Sequence, residues 1–233
     1  MSLTKHLRKA GYDLIKGPVR NHKPLQLWLK QPSNRADLYY SDIKHAFKSP
    51  VKLKIVDDPA LRVDTTETDS FGFNLGLTVL DDILKSIGVG QFDLSASIKS
   101  GKKISISYDN SVTRIIPTGE LTNYLSEADF LHPNPVLLRN ANRDNLLVIT
   151  GVVMAKNLVV EIDTDFNISA ELEAELAKAA DGKLGFTRKA DQKLEMVSQG
   201  NVSFPIAVKA HRIDFDNGVF NGLTLVSDNR DIF

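Results

Sequence analysis

The chain has 233 residues, of which 42% are hydrophobic, enough to bury one sizeable core. It contains no cysteine, which excludes disulfides, thiolate metal sites, a cysteine nucleophile and S-acylation of this chain. No run reaches the roughly eighteen uncharged apolar residues of a membrane helix, and the first residues lack the apolar segment of a signal peptide. The sequence therefore predicts a protein that is made soluble in the cytoplasm.

The zero net charge conceals an uneven distribution. Residues 1–54 hold twelve Lys or Arg and three Asp, a net charge of +9, while residues 55–233 hold 17 bases and 26 acids, a net charge of −9. A short amphipathic helix with Leu3, Leu7 and Ala10 on its apolar side is predicted to end near Gly11. Each base near an anionic leaflet contributes about 1 kcal/mol, so we expect a group of bases on and after this helix to bind acidic lipids. The group is Lys5, Arg8, Lys9, Lys16, Arg20 and Lys23.

Two other interpretations fit the same charges. The bases can form an ordinary solvated face. A nucleic-acid site would need stacking aromatic side chains among the charges, and only Tyr12 and Trp28 are near, so no nucleic-acid partner is predicted.

Residues 71–108 carry a pattern with two interpretations. Apolar side chains alternate with polar ones from Phe71 to Val79, and again from Phe92 to Tyr108 with a turn at Ser100 and Gly101, as in strands with one apolar face. Residues 80–87 instead place their apolar side chains on one face of a helix. An ordinary antiparallel meander in a soluble sheet also explains the alternation.

Residues 158–176 alternate most regularly. These nineteen residues exceed the about five or six of an ordinary strand and the about 9–11 that cross a bilayer. A helix competes over residues 169–180, which are strong helix formers with Ser169 as a candidate cap. We interpret the strand and the helix as both correct, each in a different state of the protein. Residues 184–210 alternate less cleanly after the reversal signal of Asp181 and Gly182, so the two legs are predicted to form one long hairpin.

Signatures of an enzyme are missing from the sequence. The five histidines are scattered without metal-ligand spacing, and the sequence has no phosphate-binding loop and no nucleophile elbow. We therefore expect no catalytic residue, no metal site and no cofactor. His211 falls on the polar parity of its segment and is predicted to be exposed.

Five segments, in their order along the chain, carry a resemblance to a known family: residues 7–14, 24–29, 121–128, 146–156 and 204–213. They resemble the pore-forming domain of bacterial gasdermins, and the resemblance covers most of residues 1–215. It implies an α+β fold whose resting state is a twisted antiparallel sheet with peripheral helices. On activation, segments 71–108 and 158–208 would refold into transmembrane hairpins of a large oligomeric β-barrel, because unpaired strand edges cannot lie in hydrocarbon.

The resemblance and the alternation together assign one role to the apolar positions of the alternating segments and another role to the polar positions. Predicted membrane-facing residues are Leu158, Val160, Ile162, Phe166, Ile168, Leu172, Leu176, Leu184, Phe186, Phe92, Leu94, Ile98, Ile104 and Ile106. Predicted pore-lining residues are Glu161, Asp163, Asp165, Glu171, Glu173 and Glu175.

The resemblance also implies a biology and a domain boundary. Residues 1–213 would be the pore-forming domain. Residues 214–233 would be a short tail that either forms a minimal autoinhibitory lock, removed by a caspase-like protease, or belongs to a fragment that has already been released. The partners would be acidic membrane lipids, that protease and further copies of the chain, and the protein would move from the cytoplasm to the inner membrane as a cell-death effector. Family members often carry an acylated cysteine near the N-terminus, which Ser2, Leu3 and Thr4 replace here. Two alternatives remain: a soluble β-rich binding or scaffold module, which would leave liposomes intact, and an enzyme whose pocket no motif announces.

Overall fold

A computed structural model describes residues 3–15, 22–32, 34, 36–58, 69–72, 80–81, 102–131, 134–163, 170–179, 182, 184–189, 193–199 and 203–226. The helices are α1 (Leu3–Lys9), α2 (Thr118–Ser126), α3 (Pro135–Ala141) and α4 (Ala170–Ala179), and a 3-10 helix spans Ile43–His45. The strands are β1 (Asp13–Leu14), β2 (Leu27–Leu29), β3 (Asp37–Tyr40), β4 (Phe47–Lys48), β5 (Val56–Asp58), β6 (Asp69–Gly72), β7 (Lys103–Ile115), β8 (Asp129–Phe130), β9 (Leu146–Asp163), β10 (Leu184–Lys189), β11 (Lys193–Ser198), β12 (Phe204–Asp216) and β13 (Val219–Leu225). Within these residues, no helix is long and apolar enough to cross a membrane.

Among the described residues, β9 is the central strand of an eleven-stranded antiparallel sheet. It is rich in Leu, Ile and Val, which favour strands. β2 and β7 pair with one edge of β9, and β12 and β11 pair with the other. Residues 146–153 are buried, whereas buried and half-buried residues alternate over 158–163. The change follows Asn157, which is exposed and adopts a left-handed φ of 50°. The sheet therefore has a covered half around residues 146–153, where both faces are buried, and a two-faced half around residues 158–163, where only one face is buried.

Two apolar clusters hold the sheet and its helices together. The first joins Leu7 of α1 and Tyr12 to β7, β9, β10, β11 and β12. The second joins the 3-10 helix, α2 and α3 to β2 and to the start of β9. It includes a group of aromatic rings in which Phe47 lies against Phe130 and Phe215. β4 and β8 form a separate two-stranded sheet beside this group.

Two helix predictions are confirmed. α1 ends at Lys9, and Gly11 takes a left-handed φ of 79°, a conformation that glycine adopts without a steric penalty. The helical interpretation of residues 169–180 is also correct for this state, since α4 spans Ala170–Ala179 and β9 ends at Asp163. Local helix propensity thus prevails over the strand alternation here.

The predicted single hairpin over residues 158–208 is not the arrangement of this state. The return leg is divided among β10, β11 and the first part of β12. β10 folds back on β11, and β11 rather than β10 lies next to β9. In this arrangement the apolar side chains of β10 pack against the first cluster, and β9 does not have to extend beyond Asp163 to cover them.

Candidate membrane-inserting sheet

An apolar layer covers one face of the two-faced half of the sheet. Its members are neighbours across β7, β9 and β11, and each is at most 4% exposed. Ile104, Ile162 and Leu194 form one row, Ile106, Val160 and Met196 form the next, and Tyr108 faces Leu158 beside them. Burying one such side chain stabilises the fold by about 1.5–3 kcal/mol. Residues predicted to face lipid therefore form part of the core in this state.

Apart from one pair of valines, the opposite face of the same three strands is polar. Asp163 lies between Lys103 of β7 and Lys193 of β11, so one carboxylate has two bases as its cross-strand neighbours. Glu161 lies directly opposite Glu195, and directly opposed like charges are unfavourable. The paired strands thus already have the apolar and polar faces that the sequence predicts.

The other predicted membrane-facing residues are divided among three places. Leu184 is 3% exposed and Phe186 is half-buried against the same apolar cluster, both on β10. Leu172 and Leu176 belong to α4. Five further predicted residues lie outside the described part of the chain: Phe92, Leu94, Ile98, Phe166 and Ile168.

The predicted pore-lining acids are likewise separated in this state. Glu161 and Asp163 are half-buried on β9. Glu171, Glu173 and Glu175 are on α4, where Glu171 and Glu175 are exposed and Glu173 is half-buried. Asp165 lies outside the described residues. The structure therefore gives no continuous row of these acids while α4 is helical.

β10 and β11 pair in antiparallel fashion at the edge of the two-faced sheet. Six residue pairs join them, from Leu184 opposite Ser198 to Lys189 opposite Lys193. Ser198 also ends the ladder between β11 and β9, because its buried Oγ accepts a hydrogen bond of 2.7 Å from the Leu158 amide. Sequence reasoning missed this contact, since a polar residue on an apolar parity carries no signal for its partner.

The predicted lipid-binding bases differ in their surroundings. Lys5, Lys9 and Lys23 are exposed. Arg8 is half-buried, and its Nε lies 3.4 Å from Oδ1 of Asp13, so this base also fastens α1 to β1. Lys16 and Arg20 lie outside the described residues.

The end of α1 is docked on β9 through Tyr12. A Cβ added to Gly151 would lie 2.7 Å from the Tyr12 hydroxyl, so only glycine admits this ring. Burial, with a smaller contribution from Asp58, raises the pKa of Tyr12 to about 12. Nζ of Lys209 lies 5.5 Å from the centre of the same ring. The basic helix is thus held against the central strand.

The prediction that His211 is exposed is wrong. The residue is 7% exposed, and its Nδ1 lies 2.8 Å from Oγ1 of Thr150. Burial, followed by the charge of Lys209, lowers the pKa of His211 to about 4. The register of β12 against β9 shifts between Lys209 and Ala210, and both faces of the sheet are covered there. Parity along the strand therefore does not separate exposed from buried positions.

The tail predicted from residue 214 begins within a strand. β12 continues to Asp216, and β13 pairs with it after a turn at Asn217 and Gly218. Oδ2 of Asp214 accepts a hydrogen bond from Oγ1 of Thr224, and the Phe220 ring packs edge-on against Phe215. Residues 219–225 are thus joined to the domain by a strand ladder and an aromatic contact.

Among the residues that the structure describes, no group of three or more His, Asp or Glu side chains is placed to hold a metal ion.

Comparisons with known proteins agree with these features. The sequence model of the Bacterial Gasdermin Family matches residues 15–219. A relative named Gasdermin bGSDM, from Gillisia limnaea, is 23% identical over 225 residues, which cover 92% of this chain and 84% of that protein. A second Gasdermin bGSDM, from an unidentified prokaryote, is 24% identical over 220 residues, which cover 91% of this chain and 80% of that protein.

The fold comparison gives the same result. The structure of a bacterial gasdermin from Bradyrhizobium tropiciagri matches with a TM-score of 0.60 and 16% identity, over 95% of this chain and 90% of that chain. The mostly antiparallel sheet with peripheral helices is therefore the gasdermin fold. Gasdermins are a pore-forming, non-enzymatic family. With a family match that spans most of its length, the chain belongs to the bacterial gasdermin family.

Proposed function

We propose that this chain is a membrane pore-forming cell-death effector. It binds acidic lipids, assembles into a large ring and permeabilises the cell's own membrane after a C-terminal segment is released. The paired two-faced strands β7, β9 and β11 carry this proposal, because the wall of a membrane barrel needs one apolar face, one polar face and closed edges. The resting protein is cytoplasmic and the active ring lies in the inner membrane.

The register between β9 and β11 supports a route to the second hairpin, residues 158–208. Continuing it beyond the pair Asp163 and Lys193 sets Leu172 opposite Leu184, and Ala170 opposite Phe186. Apolar residues then face each other along most of the hairpin; the exceptions are Thr164 opposite Gln192 and Ile168 opposite Arg188. In this route α4 unwinds and β10 leaves β11, while the pairing of β9 with β11 stays in place. The hairpin grows from a pair of strands that is already formed.

β10 has a second role in this route. It covers the outer edge of β11, which is the edge that a neighbouring subunit must pair with to close a ring. An uncovered edge in the resting protein would invite premature pairing between copies. Release of β10 therefore lengthens the hairpin and frees the assembly edge in one step.

The first hairpin, residues 71–108, has an equivalent starting point. β6 pairs with β7 from Asp69 opposite Ile106 to Gly72 opposite Lys103. Continuing this register sets Leu77 opposite Ile98, apolar against apolar, whereas Phe73 and Leu75 fall opposite Lys102 and Ser100. β7 also pairs with β9 over residues 103–115, so the junction between the two hairpins exists before insertion.

The predicted site residues take their roles within this mechanism. Lys5, Lys9 and Lys23, with Lys16, Arg20 and Arg8, attract the acidic leaflet. The apolar parity of both hairpins contacts lipid. The acids Glu161, Asp163, Asp165, Glu171, Glu173 and Glu175 line the pore and favour cations and basic solutes.

Residues 214–233 are proposed to restrain the resting state, and residues 1–213 to form the pore. The support is the ladder between β12 and β13 and the contact of Phe220 with Phe215, which hold the tail strand against the domain. A caspase-like protease would release this restraint.

A controlled cut at the turn between β12 and β13 tests the proposed function. A site for a sequence-specific protease is inserted between Asn217 and Gly218, and dye release is followed from liposomes that contain acidic lipid. Cleavage by the active protease should start leakage, and an inactive protease should not accelerate it. Intact liposomes after complete cleavage would contradict the proposal and favour a soluble scaffold module.

A further inference from the structure

The tail strand β13 differs in its charge from the other edge strands of the molecule. It pairs with β12 along one edge, and no backbone hydrogen bond joins it to any other described segment. Its seven residues, from Val219 to Leu225, include no charged side chain. Every other described strand that pairs along a single edge contains at least one charged residue: Asp13 in β1, Asp37 in β3, Lys48 in β4, Asp58 in β5, Asp69 in β6, Asp129 in β8 and Arg188 in β10. Charges on an edge strand discourage pairing with a second chain, so β13 lacks a protection that the other edges have.

The exposed apolar side chains of β13 lie at its two ends. Val219 is 69% exposed, more than any other large hydrophobic residue that the structure describes, and Leu225 is 37% exposed. Between them, a Cβ placed on Gly222 would have no described atom within 4 Å, so the surface at the middle of the strand is open. A β-bulge at Asn221 bends the strand but adds no charge to it. β13 therefore presents an open, neutral edge with apolar ends.

The apolar surface continues from the turn before β13 onto α3. The Gly218 amide donates a 2.8 Å hydrogen bond to Oδ1 of Asn142, which directly follows α3. Leu138 of this helix lies beside the start of β13, with its Cδ1 3.1 Å from a Cβ placed on Gly218. Leu138 is 40% exposed, and Val136 on the same helix is 50% exposed. A strand that pairs with β13 would end beside this surface, which can add buried apolar area to the contact.

Charge favours a second copy of this chain as the partner. Pairing across a two-fold axis places each residue of a strand beside a residue of an identical strand, so a strand with charges of one sign would repel its own copy. β13 carries no charge and meets no such repulsion. Full antiparallel overlap of two copies places Gly222 on the axis and Val219 of one copy beside Leu225 of the other.

We propose that the resting protein forms a weak homodimer in which β13 pairs antiparallel with β13 of a second copy. The large sheet then continues from one copy into the other, and each tail strand is paired along both edges. A contact made by one short strand with apolar ends fits a transient interface rather than an obligate one. This dimer goes beyond the proposed function, since it concerns the chain before any membrane step and differs from the ring of the pore.

Sedimentation equilibrium of the intact chain over a dilution series tests the dimer and its register. The unmodified protein should show a reversible equilibrium between monomer and dimer. The variant Val219→Lys/Leu225→Lys places two bases side by side at each end of the paired strands and should raise the dissociation constant about tenfold, since opposed like charges are unfavourable. The variant Val219→Lys/Leu225→Glu places a base beside an acid at the same points and should dimerise within about threefold of the unmodified chain.

A control variant adds the same charge far from β13. Leu38 of β3 and Ile55, directly before β5, are 37% and 43% exposed, and both strands lie on the side of β9 away from β12. Leu38→Lys/Ile55→Lys should change the dissociation constant less than about threefold. The two variants at 219 and 225 lose the same apolar side chains, so a difference between them reports on pairing and not on loss of folding.

The outcomes separate this inference from the proposed function. Monomers at every concentration would overturn the dimer and leave the edge of β13 to an extended segment of another protein. Equal weakening by the two variants at 219 and 225 would overturn the antiparallel pairing, and equal weakening by the control would overturn β13 as the site. Dye release after cleavage of the turn between β12 and β13 tests the proposed function and does not depend on any of these results.

Discussion

Two engineered disulfides that share residue 195 would test whether β10 must leave β11 while β9 and β11 stay paired. The first variant, Thr187→Cys/Glu195→Cys, joins β10 to β11. The second, Glu161→Cys/Glu195→Cys, joins β9 to β11. Both pairs are directly opposite in the resting sheet, where Cα atoms of antiparallel partners lie about 4.5–5.5 Å apart, within the range of a disulfide. The chain has no other cysteine to interfere.

The first disulfide is incompatible with an extended return leg. Residues 187 and 195 are eight positions apart, so one continuous strand would separate their Cα atoms by about 26 Å, whereas a disulfide allows about 7 Å. In the proposed hairpin residues 161 and 195 remain opposite each other, and the second disulfide fits. If the stability of the resting fold alone controlled leakage, the second disulfide would inhibit leakage more than the first. Closing the longer loop between residues 161 and 195 stabilises the folded state by about 4 kcal/mol, against about 2.5 kcal/mol for the shorter loop between residues 187 and 195.

Leakage from acidic liposomes, started by cleavage at residues 217–218, gives the readout for both variants. The oxidised Thr187→Cys/Glu195→Cys protein should release no dye, and reductant should restore release. The oxidised Glu161→Cys/Glu195→Cys protein should release dye with or without reductant. Free leakage by the first variant while its disulfide is intact would refute the detachment of β10, and a reversible block of the second would refute the retained pairing of β9 with β11.

Three further predictions address other parts of the molecule. Lys5→Glu/Lys9→Glu should abolish leakage from acidic vesicles with little change in melting temperature, because both side chains are exposed; leakage that persists at ordinary ionic strength would make the helix a solvated face. Leu172→Arg should eliminate pores, since a charge facing lipid near the midplane costs about 2–4 kcal/mol in every subunit. The Glu173→Arg variant should still insert, and its pores should show a lower cation preference in reversal-potential measurements. Equal loss of leakage in both variants, with folding intact by circular dichroism, would exclude a two-faced strand. His211 has a folded pKa of about 4 against an ordinary 6.5, so its contribution is complete above pH 6.5 and the free energy of unfolding should fall by about 3 kcal/mol as the pH drops to 4. Denaturant titrations of His211→Gln should show a weaker pH dependence over that interval.

The sequence predicted the two-faced strands well because one face of each is buried. The parity of residues 104–108 and 158–162 matches their burial, since period-two alternation reports directly on a half-buried sheet. The same reasoning failed at His211, where a register shift and cover on both faces remove the relation between parity and exposure.

The pairing of the strands could not be predicted from the pattern. The apolar side chains of Leu184 and Phe186 would match those of β11 and those of the segment that contains α4 equally well. Alternation therefore does not determine which of the two segments pairs with β10. Strand pairing is a long-range choice, and α4 is helical because its residues favour a helix locally. The contact between Gly151 and Tyr12 likewise depends on two segments that the chain brings together only on folding.

Cryo-electron microscopy of the cleaved protein on acidic liposomes tests the central claim most directly. We expect closed rings whose wall has two hairpins from each subunit, with residues 103–115 paired to residues 151–163 in the register of the resting sheet. Monomers on intact vesicles, or rings in which β7 and β9 are not neighbours, would contradict an account in which the pore grows from strands that are already paired.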